Sequence, residues 1–142
     1  MGKRQLRHDA IRKVISEPQV RTQRELADLL KPEGFDCTQA TISRDVVDLG
    51  LVKSQDGCYV LPEELRLSRI IAEMVTTVQP ACNLVVVKTL PGAAQSVCAA
   101  LDDANLDGMV GTVAGDDTIM VACVSFAAAD RLAAQIDKLR RR

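Results

Sequence analysis

Thr38-Gln39-Ala40-Thr41-Ile42-Ser43-Arg44-Asp45-Val46-Val47-Asp48-Leu49-Gly50 is the stretch on which the reading of this chain turns. Thr38 is a good N-cap, with a hydroxyl suited to accept a first-turn amide, and Gly50 suits the left-handed residue that closes a helix. A helix is therefore expected from Thr38 to Leu49. Counted at about 100° per residue, Ile42, Val46 and Leu49 fall on one side, which packs inward. Ala40, Ser43 and Arg44 face the opposite way, and Gln39 sits in the first turn. Those are the turns with which a helix entering a major groove meets base edges. The residue types suit base reading, since Arg pairs with guanine, Gln with adenine, and Ser or a helix N-terminus holds phosphate.

Working outward, Leu6, Ala10, Ile11, Val14 and Ile15 form one stripe of a helix over residues 6 to 15, with Arg7, Arg12 and Lys13 elsewhere around it. Glu17-Pro18 is expected to stop it, because proline disfavours helical backbone in the residue before it. Thr22-Gln23-Arg24-Glu25 has the capping-box spacing that opens a second helix. Leu26, Leu29 and Leu30 are its buried face, and Lys31-Pro32-Glu33-Gly34 ends it. Beyond Gly50, Leu51-Val52-Lys53 and Cys58-Tyr59-Val60-Leu61 read as short strands around Ser54-Gln55-Asp56-Gly57, where Asp-Gly signals a hairpin. Three helices and a hairpin describe a winged helix-turn-helix DNA-binding domain over residues 1–64. The pattern also allows a three-helix domain that binds protein, since fold does not fix function.

The net charge of −1 is unevenly spread. Residues 1–24 hold seven bases (Lys3, Arg4, Arg7, Arg12, Lys13, Arg21, Arg24) against Asp9 and Glu17, a local charge of +5. Such a stretch is either a solvated helix or a patch in which Arg7 and Arg12 face phosphate. Aromatic residues are only 2% of the chain, which argues against readers that stack single-stranded bases on rings. The longest uncharged apolar stretch, Thr118 to Ala129, is too short to span a membrane, where about 20 residues are needed. No secretory signal is read at the N-terminus, so a cytoplasmic location is expected. Five scattered cysteines without a Cys-x-x-Cys pair, beside the single His8, read as reduced structural thiols and do not make a zinc set.

Pro62-Glu63-Glu64 interrupts the pattern, and a linker is expected over residues 65–69 ahead of a second domain at 70–142. Met74 to Val78 and Leu84 to Leu90 read as strands, Gly92 to Asp102 as a helix, Met109 to Ala114 and Asp117 to Val124 as strands, and Ala127 to Leu139 as a helix. The order ββαββα suits a four-stranded antiparallel sheet with both helices on one face, making the chain α+β. The other face, rich in Val and Met, then calls for a partner subunit. Gly115-Asp116 is expected at the centre of a tight hairpin turn, with Asp117 starting the next strand. In water two adjacent acids are harmless, but inside an interface they require a cation or protons. A metal is disfavoured because no third oxygen ligand stands at a recognisable spacing.

Three motifs, Thr38-Gln39-Ala40-Thr41-Ile42-Ser43-Arg44-Asp45, Thr89-Leu90-Pro91-Gly92-Ala93-Ala94-Gln95 and Gly111-Thr112-Val113-Ala114-Gly115-Asp116-Asp117-Thr118-Ile119, together resemble the bacterial arginine repressor family. The resemblance covers nearly the whole chain. It implies a repressor of arginine-biosynthesis genes with L-arginine as co-repressor. It also implies a homo-hexamer of two stacked trimers, joined through the C-terminal domains and bound to paired palindromic operators in double-stranded DNA. On that resemblance Ser43 and Arg44 are the operator-contacting pair, with Gln39 nearby. Gln95, Asp102, Asp116 and Asp117 are the arginine-binding positions by the same resemblance. A guanidinium between carboxylates agrees with the acids left stranded above, since its planar donors match them. Cys37 and Cys58 depart from the family pattern, and Cys37, beside a helix N-terminus, is expected to have a lowered thiol pKa. An enzyme fits poorly, for want of a nucleophile-base pair or a phosphate-cradling glycine loop. A sensor that does not bind DNA leaves the outward Gln39, Ser43 and Arg44 without a purpose.

Overall fold

The computed structural model of the chain describes residues 2–16 and 19–141, which divide into two compact units, Met1–Leu65 and Arg66–Arg142. In the first, α1 (Lys3–Ser16), α2 (Gln23–Leu30) and α3 (Gln39–Asp48) precede a minimal hairpin of β1 (Val52–Lys53) and β2 (Tyr59–Val60). The expected stop at Glu17-Pro18 lies outside the described residues. Helix α1 starts three residues earlier than its apolar stripe, because Lys3, Arg4 and Gln5 are solvent-facing and leave no periodic signal. Both expected N-caps are formed: Thr22 Oγ1 accepts from the Glu25 amide at 3.1 Å and Thr38 Oγ1 from the Thr41 amide at 3.2 Å. At the start of α2 the Glu25 carboxylate also reaches back, Oε2 accepting from the Arg21 amide at 2.9 Å.

Gly50, at φ 66°, lets α3 end in a Schellman closure: the Leu51 amide donates to Val46 O and the Gly50 amide to Val47 O. Leu51 is thereby turned inward beside Val46, joining Ile11, Leu26, Leu30 and Ile42 in the core. The Tyr59 amide donates to Val20 O at 2.8 Å, tying the hairpin to the segment before α2. Two core expectations change. Leu6 is 46% exposed, and its place on the buried side of α1 is taken by His8. On α3 the buried set includes Asp45, a charged residue on the inner stripe.

The expected linker at 65–69 is instead helical. Helix α4 runs over Pro62–Met74, with Pro62 at its first position and Glu63 and Glu64 in its first turn, where missing amide bonds and the helix dipole favour those residues. Its Leu67 and Ile71 are buried in the core of the second unit. Then follow β3 (Val75–Ala81), β4 (Leu84–Thr89), α5 (Ala94–Ala104), β5 (Met109–Ala114), β6 (Thr118–Cys123) and α6 (Phe126–Arg140). Met74 therefore ends a helix rather than opening a strand, and β3 runs on through Pro80. That proline is tolerated because β3 is an edge strand in the antiparallel order β3-β4-β6-β5.

Alternation decides the layers. Val85 and Val87 of β4 and Ile119, Val121 and Cys123 of β6 point into the core with Val97, Leu101, Leu132 and Ile136 of the helices. On the opposite face Met120 sits across from Val86 on one side and Val113 on the other; Met120 is 52% and Val113 73% exposed. The loop after α5 approaches α6 so closely that a Cβ on Gly108, at φ +89°, would lie 2.9 Å from Ala128 Cβ. Gly108→Ala is expected to destabilise this unit by about 2 kcal/mol, combining left-handed strain with overpacking against a helix. A calorimetric melt checks this, and an unchanged midpoint would mean that α6 yields at no cost.

Candidate functional site

Each unit carries one concentration of chemistry. In the first it is the outer face of α3, where Gln39, Ala40, Ser43, Arg44 and Val47 are all exposed. Positions 40, 43, 44 and 47 share one stripe of the helix. Ser43 Oγ donates to Gln23 Oε1 of α2 at 3.0 Å, so its hydroxyl is oriented from behind by the preceding helix. Among the described residues Arg44 forms no ion pair, which leaves its fork available.

What holds that face in place lies on the inner side. Asp45, 1% exposed, takes both donors of the Arg7 fork, Nε on Oδ2 and Nη2 on Oδ1 at 3.0 Å. His8 Nε2 stands 3.0 Å from Oδ1. Burial by itself would raise the Asp45 carboxyl, but the hydrogen bonds from Arg7 and His8 outweigh it, and the group is held below its ordinary value. The same Asp45 hydrogen bond raises the Arg7 guanidinium, against the opposing effect of burial. An ionised Asp45 only accepts, so His8 donates from Nε2 and its tautomer is fixed. Arg4 pairs with Asp48 at 2.6 Å, one turn further on. His8, Asp45 and Asp48 bring their ligand atoms within 4.8 Å of one another, but the cationic place among them is filled by Arg7 and Arg4.

This corrects the expectation for the basic stretch. Arg7 is a part-buried strut between α1 and α3, with its Nε and Nη2 donors on Asp45 instead of a whole fork facing outward for phosphate. The +5 count over residues 1–24 omits Glu33, Asp45 and Asp48, which fold against Lys13, Arg7 and Arg4. Arg12 stays exposed, held only by a 3.4 Å pair with Asp9 of the kind worth little in water. The thiol expectation for Cys37 is also reversed: burial pushes it up, and this exceeds the lowering effect of Arg7.

In the second unit the four expected arginine-binding residues lie along the border of α5 and the β5–β6 hairpin. Gln95 Nε2 donates to Ala114 O at 3.1 Å, and Thr112 Oγ1 donates to Asp102 Oδ1 at 2.6 Å. Gln95 and Asp102 are seven apart, hence two turns along one side of α5, and Thr112 and Ala114 share one side of β5. Cys98 Sγ donates to Thr112 Oγ1 at 3.1 Å and extends that chain inward. The hairpin closes with the Gly115 amide on Thr118 O, which makes Asp116 and Asp117 the two central residues. The centre is thus one residue later than Gly115-Asp116, because β5 keeps its register through Ala114 opposite Ile119.

Both carboxylates are consequently at the tip. Their backbone is anchored, Asp116 O accepting from the Ala94 amide and Asp117 O from the Thr89 amide. The Asp117 carboxylate accepts from Thr118 Oγ1 at 2.9 Å. Among the described residues neither acid forms an ion pair; Lys88 Nζ donates to Thr118 Oγ1 at 2.8 Å and so meets Asp117 only through that hydroxyl, which leaves a ligand with several donors two exposed carboxylates at the tip. Sequence reasoning missed Asp45, His8 and Gln23. The signal for Asp45 was present, since it falls between Ile42, Val46 and Leu49 on the inner stripe of α3.

A winged helical unit with an exposed polar face on its third helix, joined in sequence to an α+β unit with an acidic hairpin tip, has the make-up of a DNA-binding transcriptional regulator. Residues 2–67 match the arginine repressor, DNA binding domain, and residues 71–138 match the arginine repressor, C-terminal domain. The arginine repressor of Carboxydothermus hydrogenoformans is 41% identical over 93% of this chain and 95% of its own length. Those of Bacillus subtilis and Heliobacterium modesticaldum are 41% identical over 82% and 85%, and 40% identical over 95% and 95%, of this chain and their own. The chain belongs to the arginine repressor family. It is a DNA-binding transcriptional repressor and not an enzyme. No helix among the described residues is long and apolar enough to cross a membrane.

Proposed function

We propose that this chain is an L-arginine-dependent repressor of arginine-biosynthesis genes, acting in the cytoplasm as a homo-hexamer of two stacked trimers on paired palindromic operators. The observation that carries the reading is the exposed Asp116-Asp117 tip, two acids without an ion pair whose backbone is anchored at the start of α5, near Gln95. L-Arginine supplies the missing charge there, with planar donors that suit carboxylates. Asp102 completes the set two turns along α5. Self-association is supported by the apolar sheet face around Met120 and Val113, which a soluble monomer would leave in water.

DNA is read by α3, with Ser43 and Arg44 as the operator-contacting pair and Gln39 in the first turn. Arg12 serves as a phosphate contact, and Arg7 acts from inside through Asp45. Electrophoretic retardation of a palindromic operator with and without L-arginine tests the whole reading, because an enzyme or a pure sensor would retard nothing. Arg44→Ala is expected to weaken operator binding by about 1 to 3 kcal/mol, the worth of a base contact, while arginine binding survives. Parent-like affinity for that variant at matched salt would remove α3 from the role of reading helix.

A further inference from the structure

Val47 is 77% exposed, more than any other large apolar side chain on the described surface of the first unit. Nothing in the fold of α3 asks for it. The inner stripe is complete with Ile42, Asp45 and Val46, and Leu49 is half-buried at the closing turn. Val47 stands instead on the outer stripe, seven residues after Ala40 and three after Arg44, close to the centre of the face that carries Ser43 and Arg44. Seven residues of helix span about 10 Å. That equals about three base-pair steps of 3.4 Å, so the stripe from Ala40 to Val47 matches a run of adjacent base edges.

The floor of a major groove offers polar atoms at every base pair and one apolar group, the C5-methyl of thymine. We propose that Val47 reads a thymine methyl group in each operator half-site, which makes it a specificity-determining residue beside Ser43 and Arg44. The inference rests on α3 being the reading helix. A methyl covered by the Val47 side chain removes apolar surface from water on both partners. The polar edges of the other bases would instead be stripped of water by Val47 without a bond in return. Thymine is therefore favoured over cytosine, its methyl-free pyrimidine counterpart, at the position Val47 faces.

The test uses the full chain saturated with L-arginine and a palindromic duplex that the parent protein selects from a randomised pool. Thymines of the half-sites are replaced one position at a time by deoxyuridine, which removes the methyl and leaves the hydrogen-bonding edge intact. At one position the parent is expected to lose about fourfold in affinity per half-site, the size of one buried methyl group. Val47→Ala is expected to bind the thymine duplex more weakly by a similar factor and to be indifferent to deoxyuridine at that position alone. Because Val47 is exposed and Ala favours helix, the substitution leaves the fold intact. Equal responses of parent and Val47→Ala at every thymine, or selected half-sites without thymine, would overturn the methyl contact. Arg44→Ala separates the two readings. If it loses affinity while Val47→Ala behaves as the parent, only the methyl contact falls; if it binds as the parent does, α3 is not the reading helix and both fall.

Discussion

Asp45→Ala is expected to cost the first unit about 3 to 5 kcal/mol, because removing one partner of a buried pair leaves the other uncompensated. The Arg7 guanidinium is only 16% exposed and the His8 ring 11%, so neither donor recovers its water when the carboxylate is gone. A domain whose whole stability is about 5 to 15 kcal/mol would lose a large share of it, and operator binding with it. Asp45→Asn keeps the shape and one acceptor oxygen, but turns an NH2 towards a donor, and should lose less. Replacing both Arg7 and Asp45 by apolar residues of similar volume is expected to recover much of the loss. Urea unfolding followed by tyrosine fluorescence isolates the effect, since Tyr59 is the only tyrosine in a chain without tryptophan and sits in the hairpin of this unit. An unshifted midpoint for Asp45→Ala would show that the pair contributes nothing.

The same carboxylate sets a pH signature. Its folded pKa lies below the unfolded one, so the stabilisation is fully present above the ordinary aspartate value and fades as pH falls through the folded value. The part of the parent's lead over Asp45→Ala that the ionised carboxylate supplies should therefore shrink in acid.

Asp45 also shows where reading the sequence stops. Caps, closures and apolar stripes are local, and Thr22, Thr38, Gly50, Ile42 and Val46 declare their roles within a few residues. A salt bridge between α1 and α3 is not local, so Arg7 counted as a free positive charge until the fold brought Asp45 to it across 38 positions. The +5 count shrinks for the same reason, through acids that are distant in sequence. The missed helix α4 has another cause. Leu67, Ile70, Ile71 and Met74 keep helical spacing, yet Pro62-Glu63-Glu64 read as a break when proline at a first helical position followed by acids is equally a start. In the second unit the alternation of Val85, Val87, Ile119 and Val121 was enough for the sheet. The one-residue shift at the hairpin tip was not legible, because it depends on where pairing with β6 ends.

The largest assembly effect is expected at that tip. In the proposed hexamer the Asp116-Asp117 pairs of six subunits gather about twelve carboxylates at the interface between trimers, and their repulsion strengthens wherever water is excluded. Neither acid forms an ion pair within its own unit among the described residues, and Lys88 reaches Asp117 only through the Thr118 hydroxyl, so most of the gathered charge has to be met from outside. Apo assembly should accordingly be weak. A ligand that binds the hexamer and not the separate trimers stabilises it by about 2.7 kcal/mol per site at a hundredfold excess over its dissociation constant. Operator affinity follows, since a joined hexamer presents more reading heads to a paired site than a trimer does. Asp117→Asn retains the side-chain oxygen that accepts from Thr118 while removing one charge per subunit. It is expected to form hexamers more readily without ligand and to be nearly insensitive to L-arginine, as sedimentation velocity with and without ligand would read directly. Lysine and citrulline probe the same step from the other side, because one lacks the forked donors and the other lacks the charge. Both should promote assembly much less than arginine. Citrulline acting as well as arginine would mean that shape and hydrogen bonds suffice, and that the two aspartates do not act through charge.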